Sequence, residues 1–391
     1  MNILEYYNTK SELLEKYVNE ANASYEPYLF SNENILKILN GAKFLDNEIK
    51  ECYVNFLDKI DDNLRRYLYL LYYTLFKTSE DFTFNYHGPV HQLPEPEFYK
   101  TNYLGMVKGI LYIVSSTELY NFVINNNLDI LMYDRYFEKF TYFSNQNKFL
   151  HNTYGIVDCD GFLYGYSKAF LMWIGNLTFH IVKYNPYCEV YENNNGEKLF
   201  VATNKFKYNN LGLPTIEEQA FTPSQEIKGD FLYGNVFLPN GRLDLQTSKI
   251  SLNEYKKILT PGDNVVTVHI PAGKSLNIEE CKKSIKQAKE IFMRFFDNIK
   301  AVVCLTWFIC PEIRSLLKEG GNMQKFADLF DLITISEDTH YHHLYIHIFE
   351  KSQDIPLNKL EPKNDFQRRF LDLALRGEKM YKAYGLLKEN I

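Results

Sequence analysis

The chain has 391 residues, room for two domains or one large one, with 46% hydrophobic and 24% charged residues, ordinary globular values. A net charge of −6 argues against a broad nucleic-acid footprint. The 31 Tyr and 29 Phe against 2 Trp indicate aromatic-rich cores rather than a dedicated aromatic groove. The cysteines at 52, 159, 188, 281, 304 and 310 form no C-x-x-C pair. The chain is too long for a disulfide scaffold, so buried free thiols in a reducing compartment are expected. The first residues lack the basic-then-apolar pattern of a signal peptide, and no apolar run reaches membrane-spanning length. A soluble cytoplasmic protein with no membrane or nucleic-acid partner is expected.

Residues 2–150 read as helical. Leu13–Val18 and Ile35–Leu39 are short helices. Glu48–Lys77 is one longer helix, with an apolar face through Cys52, Phe56, Ile60, Leu64 and Leu68. A Pro-rich loop carries His87 and His91. Further helices cover Gly105–Val114, Ser116–Val123 and Asp129–Phe143. Asn152–Tyr166 reads as a turn or hairpin between domains. Strand-like runs then dominate: Leu177–Val182, Lys198–Thr203, Phe231–Leu238 and Arg242–Leu245, the last two flanking Pro239-Asn240-Gly241. Leu252–Leu259 reads as a short helix.

Asn264–Phe330 organises the rest. Val265–Ile270 is a compact β-run stopped by Pro271. Asn277 is placed as an N-cap, with Glu280 three residues on, the spacing of a capping box. Ile278, Cys281, Ile285, Ala288 and Phe292 recur at helical spacing. A second β-run covers Ala301–Trp307, and Pro311 opens a helix over Glu312–Lys318. Leu332–Ser336 and His342–Phe349 read as a closing hairpin, and Asp365–Lys388 as an amphipathic terminal helix. Together these predict an α+β protein: an all-α N-terminal domain (1–150), then a mixed, mostly antiparallel sheet with flanking helices (151–391).

The stretches WIGNLTFHI (Trp173–Ile181), LTPGDNVVTVHIP (Leu259–Pro271), AVVCLTWFICPEIRSLL, GGNMQKFADLF and QRRFLDLALRGEKMYKAYGLL (Gln367–Leu387) resemble a bacterial family of GNAT-like acyltransferases. That family pairs a helical N-terminal domain with a GNAT-like C-terminal domain. The resemblance implies transfer of an acetyl or other acyl group from acyl-CoA to a small-molecule or peptide amine acceptor, without a metal. It also implies that a backbone N–H on the fourth strand, Val265–Ile270, holds the thioester carbonyl, and that the following turn wraps the pyrophosphate. The implied donor-binding residues are Val268, Ile270, Ala272, Gly273, Lys274 and Ser275. A Gly-containing turn opening a helix can offer N–H groups to an anion. Departures from the superfamily pattern keep a second reading open, a GNAT scaffold that binds a small molecule or protein without catalysis. Pro271 removes one donor, Glu279 and Glu280 bring negative charge, and Phe326 stands near the place of the usual acidic Tyr.

The candidate catalytic residues are His269, Ser315 and Tyr341. Alternation puts Val266, Val268 and Ile270 on one face of the fourth strand, toward a helix layer. Val265, Thr267 and His269 take the other, where His269 could accept a proton from an amine or serve as a hydrogen-bonded structural histidine. In place of the missing Tyr, Ser315 is the nearest hydroxyl on the preceding helix, and Tyr341 or Tyr345 could reach in from the hairpin. His340, His342, His343 and His347 cluster as well, but without a distinctive zinc spacing, and a wet-faced hairpin accounts for them.

Overall fold

Short polar residues start most of the long helices. Ser11, Ser31, Asp46, Asp61, Asn277 and Asn364 each accept a first-turn backbone N–H with their side chains. The computed structural model describes residues 3–78, 93–157, 160–184, 187–271, 275–338, 341–342, 344–349, 351, 353 and 355–388. The chain divides into two units, Met1–Trp173 and Ile174–Ile391.

The first unit is helical: α1 (Ile3–Tyr6), α2 (Glu12–Ala23), α3 (Asn32–Gly41), α4 (Asn47–Phe56), α5 (Asp62–Tyr72), α6 (Glu97–Asn102), α7 (Met106–Asn125), α8 (Leu131–His151) and α9 (Asp160–Ser167). The expected long helix over Glu48–Lys77 is broken, because Asp61 caps a new start by accepting from Leu64 N at 2.7 Å. Gly105–Val114 and Ser116–Val123 instead fuse into α7, a helix buried on most of its surface. Asn152–Tyr166 is not a hairpin, since Asp160 opens α9 and its carboxylate pairs with Lys108 at 2.9 Å. His87 and His91 lie outside the described residues.

The strands are β1 (Leu171–Ile174), β2 (Leu177–Lys183), β3 (Cys188–Asn193), β4 (Lys198–Ala202), β5 (Lys207–Tyr208), β6 (Pro214–Thr215), β7 (Gln225–Lys228), β8 (Phe231–Gly234), β9 (Ser248–Ser251), β10 (Tyr255–Leu259), β11 (Asn264–His269), β12 (Ile299–Thr306), β13 (Phe330–Asp338) and β14 (Tyr381–Leu387). Helix α10 (Ile278–Phe295) joins β11 to β12, and α11 (Pro311–Arg314), α12 (Asn322–Ala327) and α13 (Asp365–Leu375) follow. A six-stranded sheet in the order β1-β2-β11-β12-β14-β13 forms the frame. Its β11–β12 pair is parallel, and the β2–β11, β12–β14 and β13–β14 pairs are antiparallel. This is the mixed, mostly antiparallel sheet with flanking helices that the sequence predicts.

Three local expectations give way to strand pairing, and a fourth is shortened. Leu252–Leu259 is not a helix: Tyr255–Leu259 is β10, laid antiparallel on β3. The second half of Asp365–Lys388 is a strand. Helix α13 ends at Leu375, Gly377 takes φ 75°, and Tyr381–Leu387 fills the slot between β12 and β13. Among the described residues the closing hairpin is not formed, for the same reason: β14 takes the pairing edge of β13, and Leu344–Phe349 is a short, wide helical turn. The helix expected at Glu312–Lys318 is only the single turn α11.

One face of the sheet, through Val182, Val265, Ala301, Val303, Tyr384 and Leu386, packs with Cys188, Val190, Phe200, Tyr208, Phe237 and Leu243. On the other face, Leu177, Phe179, Ile181, Val266, Val268, Val302 and Cys304 are all buried. Helix α10 packs on β2 and β12, through a stripe that includes Ile285, Ala288 and Phe292.

Candidate active site

The sheet opens at its centre. β11 pairs with β2 as far as His269 opposite Thr178. On its other side, the ladder to β12 ends at Thr267 opposite Val303. β12 nevertheless continues, paired with β14 to Thr306 opposite Ala383. Both parallel strands thus run past their last shared pair, and a gap begins between Val268 and Cys304. The Cys304 thiol leans across its start and donates to the Val268 carbonyl at 3.5 Å. Burial pushes that thiol well up, so it is a neutral donor and not a nucleophile.

The face that carries His269 changes character along the strand. Val265, at the start, belongs to the apolar core. Toward the gap the residues become Thr267 and His269 on β11, with His180 and Thr178 opposite them on β2. Thr178, His180 and Thr267 are buried, and His269 is half-buried. The His180 and His269 rings lie 6.2 Å apart between centroids, tilted by 35°. Burial, and secondarily the charge of His269, hold His180 down at about 3. An imidazole held there stays neutral through the physiological range.

The turn after β11 leads to α10. Asn277 caps the helix as expected, its Oδ1 accepting from Glu279 N at 3.1 Å and Glu280 N at 3.2 Å. Two first-turn donors are therefore already engaged. The Asn176 side chain, on the β1–β2 turn, donates to the Glu280 carboxylate and to the Ser275 carbonyl. On the same turn, Gly175 lies against Ser284, whose Oγ accepts from Asn176 N at 3.1 Å.

Val268 is buried at the gap, Ile270 is half-buried beyond it, and Ser275 is exposed. Ala272, Gly273 and Lys274 lie outside the described residues. Ser315 is exposed, and its hydroxyl donates to Glu312 O at 2.7 Å within its own turn. The Tyr341 hydroxyl donates to Glu378 O at 2.9 Å, just past α13. Phe326 is fully buried between the rings of Phe308 and Phe330. His340 and His343 are outside the described residues, and His342 Nδ1 lies 3.3 Å from Gln353 Oε1. Among the described residues no group of three or more His, Cys, Asp or Glu could hold a metal ion. No helix among them is long and apolar enough to cross a membrane.

Sequence reasoning passed over His180, although the stretch Leu177–Ile181 carries its signal. Leu177, Phe179 and Ile181 alternate with Thr178 and His180, and all five are buried. A polar stripe on a strand with two buried faces marks a site more sharply than a polar residue on a wet strand.

A strand pair that splays after a shared ladder, followed by a helix on one face, defines the GNAT class of fold. The model of the GNAT-like C-terminal domain family matches residues 171–387, and the chain belongs to that family. No curated protein matches it. Among solved structures, the chain is similar to an acyltransferase in complex with decanoyl-CoA, with 12% identity, TM-score 0.59 and 98% of each chain covered. It is equally similar to an acyltransferase with decanoyl-CoA and teicoplanin, with 12% identity, TM-score 0.60, and 99% of this chain and 98% of that chain covered. An acyltransferase mutant in complex with octanoyl-CoA matches at 11% identity and TM-score 0.59, covering 99% of both chains.

Proposed function

We propose that this protein is an N-acyltransferase that moves an acyl group from acyl-CoA to an amine on a small-molecule or peptide acceptor. The observation that carries this reading is the gap between β11 and β12, with the half-buried His269 on the strand that borders it. The similar structures hold decanoyl-CoA or octanoyl-CoA, and one also holds teicoplanin, which favours a medium-chain donor over acetyl-CoA and an acceptor larger than a free amino acid.

In this reading the thioester enters the gap, where backbone beyond the last shared pair is free of the ladder. Donors near Val268 and Ile270 polarise its carbonyl. The acceptor amine attacks, a C–N bond forms and the C–S bond breaks. His269 takes the proton released by the amine, and that proton ends on the departing CoA thiolate. Ser315 and Tyr341 have hydroxyls already donating to backbone carbonyls, so neither is assigned the acid role. Because Asn277 engages two N–H groups at the start of α10, the pyrophosphate is assigned to the turn before it.

Calorimetric titration with decanoyl-CoA and with acetyl-CoA tests the donor. Saturable binding, tighter for decanoyl-CoA, is expected. No binding of either at millimolar concentration would favour a scaffold that has kept the fold and lost the reaction.

A further inference from the structure

An exposed leucine on a protein surface is ordinary, but one on an inner strand of a packed sheet is not. Among the described residues of the six-stranded sheet, Leu305 on β12 is the only large apolar side chain that is exposed, at 40%. Its neighbours on that face are closed. Val303, two residues before, is fully buried, and Tyr384, directly opposite on β14, is 5% exposed. On the other flank of Leu305 is the gap. The β11–β12 ladder pairs Val265 with Ala301, Val266 with Val302 and Thr267 with Val303. Two residues further in that register, His269 stands on one lip and Leu305 on the other, both on the face opposite Val268 and Cys304. The gap therefore has one polar lip and one apolar lip.

We propose that Leu305 seats the first methylenes of the donor's acyl chain and thereby sets the preference for a medium-chain acyl-CoA. The inference rests on the reading of the gap as the thioester site. A thioester carbon is planar, and its oxygen, sulfur and acyl carbon point apart. With the oxygen toward the donors near Val268 and Ile270 on β11, the sulfur and the acyl carbon both point away from β11, toward β12. The sulfur carries CoA toward the turn before α10, on the face of Val268 and Cys304. The acyl carbon is left to the opposite face, where Leu305 stands across from His269. The chemistry of the two lips agrees with this division. Amine attack needs a proton acceptor on one side, and the chain needs a surface that gains by shedding water on the other. Each methylene laid over Leu305 leaves water for an apolar contact. An acetyl group ends at its first carbon and has no methylene to place there.

Calorimetric titration of the full chain with CoA, acetyl-CoA, octanoyl-CoA and decanoyl-CoA tests the seat. The proteins compared are the wild type, Leu305→Asn, Leu305→Ser and Leu305→Met, with Ile216→Asn as a control at a fully exposed apolar residue of the same unit. The wild type and Ile216→Asn are expected to bind decanoyl-CoA more tightly than acetyl-CoA. Leu305→Asn and Leu305→Ser are expected to weaken octanoyl- and decanoyl-CoA about 5- to 30-fold, the range for losing part of one aliphatic contact, and to leave CoA and acetyl-CoA within about twofold. Leu305→Met keeps an apolar side chain and should keep the wild-type preference.

The ratio of decanoyl-CoA to acetyl-CoA affinity is read within each variant, so a partly unfolded sample does not imitate the effect. A ratio that stays at the wild-type value in Leu305→Asn and Leu305→Ser overturns the proposal, as does an equal loss for every ligand, CoA included. A fall in Leu305→Met as deep as in Leu305→Asn overturns it too, because an apolar side chain has then not sufficed. Should Leu305→Asn not fold, Leu305→Ser and Leu305→Met decide. A wild type that binds none of the four ligands fails the reading of the gap, and the seat with it. If decanoyl-CoA binds with the expected dependence on Leu305 but no amine is acylated, the transfer reading fails and the seat stands.

Discussion

His180 links the site to stability. Its folded value, about 3, lies below the ordinary histidine value of 6.5. The unfolded chain therefore binds a proton that the folded chain refuses, and stability rises with pH between those values. On acidification, the loss begins near 6.5 and is complete near 3. We expect the pH dependence of the urea midpoint to be shallower over that window in His180→Gln by close to one proton. An identical slope would mean that the ring is solvated in the folded protein. At His269, the Gln substitution should lower turnover by about 10²–10⁴-fold, the range for one positioned acid–base group. Acyl-CoA affinity should hold, because in the proposed reading the imidazole acts on the acceptor and not on the phosphates. A matching fall in affinity measured by calorimetry would place His269 on the donor instead.

At the scale of elements, the β1–β2 turn and the start of α10 are fitted together by small residues. Gly175 has φ 60°, and a Cβ there would lie 2.1 Å from Ser284 Oγ. Gly175→Ala meets both a left-handed backbone and a side-chain collision, so we expect a loss of more than about 1 kcal/mol in chemical denaturation. A neutral result would show that the turn can move away from α10. Asn277→Ala should cost about 1 kcal/mol by removing the cap on Glu279 N and Glu280 N. The same variant frees those two donors, so its acyl-CoA affinity is expected to hold or rise. A drop in affinity would mean that the Asn277 side chain itself meets the ligand.

The whole molecule shows why some of this was legible and some was not. The apolar alternation of Val265–His269 and the 3.6-residue stripe of Ile278–Phe292 are strong local signals, and β11 and α10 fall where they point. The terminal strand was hidden because Tyr381–Leu387 follows a helical run directly and takes its conformation from the slot between β12 and β13. Leu252–Leu259 failed likewise, since β10 is defined by its partner β3 and not by its own pattern. The splay itself is a statement about where two ladders end, and no single stretch encodes it. His269 was readable as a polar residue at the end of an apolar strand. His180 became meaningful only when the register put it beside that residue.

The most direct measurement is product formation with a defined donor. Incubation with decanoyl-CoA and a panel of primary amines and amine-bearing glycopeptides, followed by mass spectrometry, should yield an acceptor heavier by one decanoyl group less one hydrogen, with an equal amount of free CoA. The yield should collapse in His269→Gln. Saturable decanoyl-CoA binding without any acylated product across the panel, in wild type and variant alike, would contradict the assignment of this site to acyl transfer.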